Sequence, residues 1–175
     1  MRTTQPIRIL AVEIRAARLG YAVFESPKRL LDFGAAGFDS PEAARRRIVR
    51  LFRLSHPSLL VLRSASYQLK KALVRKSVAR IVCREARKLS IPVASVSNIA
   101  LKRYFQVNSS RSKYDVAASL ATRFPEIAWR LPERRKFYDP EPRAMIYFDA
   151  VVLGAAQMDL NKKKGSDGIL SSASK

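Results

Sequence analysis

Arg8-Ile9-Leu10-Ala11-Val12-Glu13-Ile14-Arg15-Ala16-Ala17-Arg18-Leu19-Gly20-Tyr21-Ala22-Val23 reads as a β-hairpin near the start of the chain. Ile7 to Val12 is a short apolar run of the strand type, and Tyr21 to Glu25 is a second. Ala17-Arg18-Leu19-Gly20 is expected to turn between them. Leu30-Leu31-Asp32-Phe33-Gly34 follows the turn Ser26-Pro27-Lys28 and supplies a third strand, so the three pair as a meander.

Beyond the meander the period changes. Ser40-Pro41-Glu42 starts a helix, with Ser40 as N-cap and Pro41 at the first helical position. It runs to about Leu54, with Ile48, Leu51 and Phe52 on its apolar side, and His56-Pro57 ends it. Leu59-Leu60-Val61-Leu62 is apolar throughout, the pattern of a strand covered on both faces. Lys70 to Leu89 is a long amphipathic helix, with Leu73, Val74, Val78, Ile81, Val82 and Ala86 at helical spacing. Ile91 to Val96 is a fifth strand, Asn98 to Phe105 a short helix, Val107 to Lys113 a polar loop, and Tyr114 to Phe124 a helix closed by Pro125. Ala128 to Tyr138 is irregular. Asp139 is expected to cap a last helix, with Pro140 in its first turn, running through Met145, Phe148, Val152 and Ala155 to about Leu160. Residues 161–175 form a Lys-, Gly- and Ser-rich tail expected to be disordered. The expectation is one α/β domain over residues 7–160: a mixed five-stranded sheet, three antiparallel strands then two parallel, with helices on both faces.

The charge is lopsided. The 175 residues carry 34 Lys+Arg against 14 Asp+Glu, a net charge of +20 with a pI of about 11.0. Between Ala43 and Tyr114 the only acid is Glu85. A folded segment so charged repels itself unless a polyanion binds it, so nucleic acid, DNA first, is the expected partner. Arg15, Arg45, Arg46, Arg47, Arg75, Lys76, Arg80, Arg84, Lys102, Arg103, Arg111 and Lys113 are the candidate contacts. The 47% hydrophobic fraction fits a globular protein. No apolar run approaches the ~20 residues of a bilayer span, and Met1 to Pro6 lacks the apolar core of a signal peptide. A single cysteine, Cys83, excludes an internal disulfide and any multi-cysteine metal site. The expected location is the cytoplasm, with no membrane partner.

The opening hairpin resembles that of the RuvC-type Holliday junction resolvases, members of the ribonuclease H-like superfamily. Phe148-Asp149-Ala150-Val151-Val152-Leu153-Gly154-Ala155 is similar to the acidic C-terminal helix of that family. The order of elements matches over roughly residues 7 to 160. The resemblance implies a ribonuclease H-like fold and phosphodiester hydrolysis by two Mg²⁺ ions about 3.5–4 Å apart, held by carboxylate oxygens. The family supplies one acid at the end of the first strand, one at the end of the fourth, and two on the last helix, three residues apart. It also implies a homodimer, because a junction presents paired strands to cut.

Carried over by position, only part of that set survives. Glu13 stands at the first-strand position, where the family has Asp, and Ile14-Arg15 follows where glycine is common. The fourth-strand position falls at about Arg63, and no register shift supplies an acid there, since none lies between Ala43 and Arg84. Asp149 matches the inner helix acid, while Ile146 stands three residues earlier. Glu13 and Asp149 are therefore the remnant catalytic and metal-binding positions, and Mg²⁺ is a cofactor only if the protein is active. Arg63 near both acids would neutralise the pocket without a metal.

Each residue also has a plainer reading. Glu13 is equally a solvated strand end, and Asp149 a salt-bridged helix residue with Arg63 or Lys113 as partner. Glu141 is a substitute acid, but Asp139-Pro140-Glu141 reads better as N-cap and first-turn acid. Asp115 fits the first turn of its own helix, His56 a turn, and Cys83 a small apolar position. Trp129, Phe137 and Tyr138 either stack on bases or, the preferred reading, cover the end of the core. The leading function is a RuvC-like binder of branched or structured DNA with weak or no cleavage. Its rivals are an active junction endonuclease using Glu13, Asp149 and Glu141, and a scaffold or dimerisation module that binds RNA or an acidic protein.

Overall fold

A computed structural model describes residues 7–64, 72–107, 112–134, 136 and 139–170, without side chains at 72, 107 and 162–170. Strands β1 (Ile9–Ile14), β2 (Arg18–Ser26) and β3 (Arg29–Gly37) form the antiparallel meander. Helix α1 (Pro41–Ser55) crosses to β4 (Leu59–Arg63), and α2 (Ala72–Lys88) crosses to β5 (Val93–Val96). Both crossovers give parallel pairs, β1 with β4 and β4 with β5, so the order across the sheet is β3-β2-β1-β4-β5. Helices α3 (Asn98–Val107) and α4 (Lys113–Arg123), a 3₁₀ turn over Pro125–Arg130, and α5 (Met145–Leu170) complete the described chain.

Period-2 alternation divides the strands between two cores. Leu10 and Val12 of β1, with Leu60 and Leu62 of β4, pack under α1 and α2 against Ile48, Phe52, Val78 and Val82. Ile9, Ala11 and Val61 point the other way, into a larger core with Leu120, Phe124, Phe148 and Val152 of the later helices. The sheet is thus covered on both faces, as its near-continuous apolar strands require.

Two close approaches seat α5 on β2. A Cβ on Gly20 would lie 2.6 Å from the Ile146 carbonyl oxygen, and one on Gly154 would lie 2.2 Å from the Phe24 ring. Gly20 is therefore not a turn residue. It pairs with Glu13 in the β1–β2 ladder, and the hairpin turns at Ala16 and Ala17 instead. Ile146 is fully buried by the same contact.

Several caps stand as expected. Ser40 accepts from the Ala43 N–H, Ser112 caps the helix that has Asp115 in its first turn, and His56 closes α1 at φ 44. The start of the last helix differs. Asp139 does not cap it: its carboxylate accepts from the Lys136 N–H, its own N–H donates to the Lys136 carbonyl, and α5 begins only at Met145. Asp139 and Glu141 each precede a proline, which disfavours the helical region and keeps the segment out of the helix. At its other end α5 continues past Leu160 to Leu170.

Three further expectations change. Leu73 and Val74, placed on the apolar side of α2, are 66% and 43% exposed, and the buried stripe begins at Val78. Cys83 is half-buried against the α1–α2 core. Trp129 is 69% exposed and does not cover the core. Phe137, Tyr138, Lys70, Lys71 and Arg111 lie outside the described residues.

Candidate nucleic-acid interface

The alternation that builds the cores also builds the site. Ile9 and Ala11 face α5, so Glu13, the next in that series, faces it too. Val61 of β4 faces the same way, which brings Arg63 to that side beside Glu13. Asp149 lies near the start of α5, above the same strand ends. The result is a cavity of about 330 Å³ at the carboxyl ends of β1 and β4, lined by Glu13, Arg15, Arg63, Arg75, Lys113, Glu141 and Asp149 among others. Open α/β sheets bind ligands outside the carboxyl ends of their strands.

Inside it, acids and bases are paired. The Arg63 Nε donates to Glu13 Oε2 at 2.9 Å, and Arg63 also reaches Asn98 Oδ1 at 3.4 Å. Arg15 donates a short hydrogen bond to Asp149 Oδ2 and lies 3.4 Å from Glu141 Oε1. The Lys113 Nζ bonds Glu141 Oε1 at 2.8 Å and stands 3.9 Å from Asp149 Oδ1. Asp149 therefore takes Arg15 and Lys113 as partners, and Arg63 goes to Glu13. Glu141 is not a capping residue: the non-helical, Pro-flanked segment carries it to Arg15 and Lys113.

Burial raises the Glu13 carboxyl above its ordinary 4.5; Arg63 opposes this and Asp149 adds to it. At Glu141 burial also pulls upward, but the hydrogen bond and charge of Lys113, with Arg15, hold the carboxyl below 4.5. Burial works against the Arg15 charge, and bonding to Asp149 overcomes it, so the guanidinium pKa is raised.

A two-metal centre does not fit this donor set. Glu13 and Asp149 each spend an oxygen on a guanidinium, Arg63 stands at the fourth-strand position, and Ile146 is committed to packing on Gly20. Two divalent ions would have to share the cavity with the cationic heads of Arg15, Arg63 and Lys113. Among the described residues, no group of three or more His, Cys, Asp or Glu side chains is arranged to hold a metal.

No family model matches the chain, and no curated protein matches it. Solved structures do. Thermus thermophilus RuvC in complex with a Holliday junction substrate superposes with a TM-score of 0.64 at 14% identity, covering 86% of this chain and 91% of that one. The chain carries the RuvC-type resolvase fold. A second Thermus thermophilus RuvC structure gives 0.62 at 13% identity, covering 86% and 92%. The yeast mitochondrial Holliday junction resolvase Ydc2 gives 0.62 at 12%, covering 87% and 79%. The sheet order and mixed pairing are those expected of the ribonuclease H-like architecture.

The candidate contacts on this RuvC-type fold fall into separate groups. Arg15, Arg75 and Lys113 line the central cavity. Lys76, Arg80 and Arg84 line a shallow groove along α2 with Leu73 and Ile81. Arg46 and Arg47 border a depression beside Phe38 and Asp39. Lys102 and Arg103 are exposed on α3. Arg45 is engaged elsewhere, bonding Glu42 at 2.9 Å and lying 3.8 Å from Glu85. Among the described residues, no helix is long and apolar enough to cross a membrane. Glu141 joins the site although it stands in a sequence typical of a helix start; the prolines on either side, Pro140 and Pro142, are the signal that it lies outside the helix.

Proposed function

We propose that this protein binds branched or structured DNA, Holliday junctions being the leading substrate, on a nuclease fold whose two-metal site has been replaced by ion pairs. Cleavage is weak or absent. The observation that carries this reading is the pair of guanidinium contacts, Arg63 to Glu13 and Arg15 to Asp149, where a metal-dependent relative would hold ions. The net charge of +20 supplies the attraction to a phosphate backbone. Arg75 and Lys113 at the cavity wall give that backbone local contacts. Residues 7–160 act as one DNA-binding domain, and a homodimer in the cytoplasm suits a two-fold substrate.

Glu141 favours one rival. Its arrival beside Asp149 gathers Glu13, Asp149 and Glu141 at one cavity, so a metal-dependent endonuclease would use those three acids. A single gel separates the readings, with a labelled four-way junction and a matched linear duplex in Mg²⁺, Mn²⁺ and EDTA. The expected result is a shifted, intact junction in every lane. Paired symmetric nicks in the metal lanes alone, lost in Asp149→Asn, would sink the proposal and establish the rival.

A further inference from the structure

Trp129 is the only tryptophan of the chain, and it is 69% exposed. An exposed indole discards a large share of the apolar burial that tryptophan offers a fold, so its surroundings bear on its use. It belongs to the 3₁₀ turn Pro125–Arg130, which fully buried Ile127 anchors to the core. With three residues per turn, Trp129 lies about two-thirds of a turn round from Ile127 and points outward. The Arg130 guanidinium carbon sits 4.0 Å from the centre of the Trp129 ring and 5.2 Å from that of Tyr147. Phe33 of the edge strand β3 lies 6.2 Å from Trp129 and 5.8 Å from Tyr147, ring centre to ring centre. The indole is therefore held by a guanidinium and by aromatic neighbours while most of its surface stays in solvent. Tyr147 is two residues before Asp149 on α5, so this shelf and the charged cavity share the first turns of one helix.

We propose that Trp129 stacks an unpaired base of bound DNA, with Arg130 meeting the adjoining phosphate. The proposal rests on the DNA-binding reading above and adds to it a strand-separated segment as the recognised element. The chemistry is that of single-strand binders, which combine an aromatic face for the base with a cation for the backbone. Every base has a π-face, so the stack accepts any sequence. The chain's positive charge brings the strand to the shelf, and because Arg130 lies against one face of the indole, the base takes the ring surface that stays in solvent.

Because no second tryptophan contributes, tryptophan emission excited at the red edge, where the six tyrosines do not absorb, reports on this position alone. The full chain would be titrated with a fluorescein-labelled oligothymidylate about twelve nucleotides long, following label anisotropy for binding and tryptophan emission for stacking. The expected result is saturable quenching of the emission at the oligonucleotide concentrations that raise the anisotropy. Trp129→Ala should weaken binding roughly 5- to 150-fold, and Trp129→Phe should stay within about threefold of the parent, since a phenyl ring still stacks. Binding with unchanged emission, or Trp129→Ala at parental affinity, would overturn the stacking proposal and leave the DNA-binding reading in place. An anisotropy that never rises while the four-way junction is still bound would overturn stacking on unpaired bases alone. Failure to bind either DNA would sink both readings.

Discussion

Glu13 at the end of β1 and Glu85 on α2 are buried to nearly the same degree, 5% and 6% exposed, and both meet basic side chains. Their carboxyls move in opposite directions. Glu85 bonds Lys88 at 3.0 Å with Arg84 at 3.6 Å and Arg45 at 3.8 Å, and the Lys88 hydrogen bond leads in holding it below 4.5. Glu13 has one guanidinium in contact, Arg63, with the Asp149 carboxylate nearby, and burial raises it. Equal exposure is not equal depth: desolvation leads at Glu13, deep at the strand ends under α5, whereas at Glu85, just under a cover of basic side chains, the Lys88 hydrogen bond outweighs it. The Glu85 cluster is a structural clasp between α1 and α2 whose cations are spent on the fold. The cavity around Glu13 is a less compensated arrangement at the strand ends, where a fold places its ligands.

The largest expected effect tests that difference directly. Arg63→Met leaves Glu13 buried without its cation and should cost about 2–3 kcal/mol at neutral pH, the lower end for a broken buried pair because Arg63 is partly exposed. Arg84→Met at the clasp should cost under about 0.5 kcal/mol, because Lys88 and Arg45 remain. Urea unfolding measures both, and equal losses would erase the distinction. The double variant Glu13→Gln/Arg63→Met should recover most of the loss.

A second prediction concerns DNA. Arg75→Ala, at the cavity wall, should reduce junction affinity roughly 5- to 10-fold and lower the salt slope by about 1. Arg45→Ala should change affinity less than about twofold, because its charge is engaged by Glu42 and Glu85. Binding isotherms at several salt concentrations would show whether the clasp and the cavity really divide the cations this way.

The smallest effect is a matter of sign. Glu85→Gln should destabilise by about 1 kcal/mol, whereas Glu13→Gln should be neutral or stabilising near pH 7. Between 4.5 and its raised value, Glu13 holds a proton more firmly in the folded chain than in the unfolded one. That contribution is full below 4.5 and declines as pH rises toward the raised folded value. Glu85 and Glu141 act oppositely: they stabilise above 4.5, and their contribution is lost as pH falls through their lowered values. A pH series of unfolding midpoints on Glu13→Gln should lack only the decline above 4.5.

Much of the architecture was legible because it is written in local periods. The unbroken apolar runs Ile9 to Val12 and Leu59 to Leu62 mark strands covered on both faces, and the 3.6-residue stripe of Val78, Val82 and Ala86 marks a helix. Element ends were less legible. Gly20 looked like a turn residue because glycine favours turns, yet it serves as the gap into which Ile146 packs. Asp139 looked like a cap because Asp-Pro favours helix starts, yet Pro142 disfavours the helical region at Glu141 and the helix begins only at Met145.

The sequence by itself determined the meander-then-crossover order, the basic surface, and the lack of any carboxylate from Ala43 to Arg84, which leaves Arg63 at the end of β4. Tertiary structure alone decided which cation each acid receives: Arg63 for Glu13 across 50 residues, Arg15 for Asp149 across 134, and Arg15 with Lys113 for Glu141. It also decided that Trp129 faces water. Backbone periodicity depends on near neighbours and survives in any short window of sequence. Ion pairing and exposure depend on which distant segments the sheet and its covering helices bring within a few ångströms, and no local pattern encodes that.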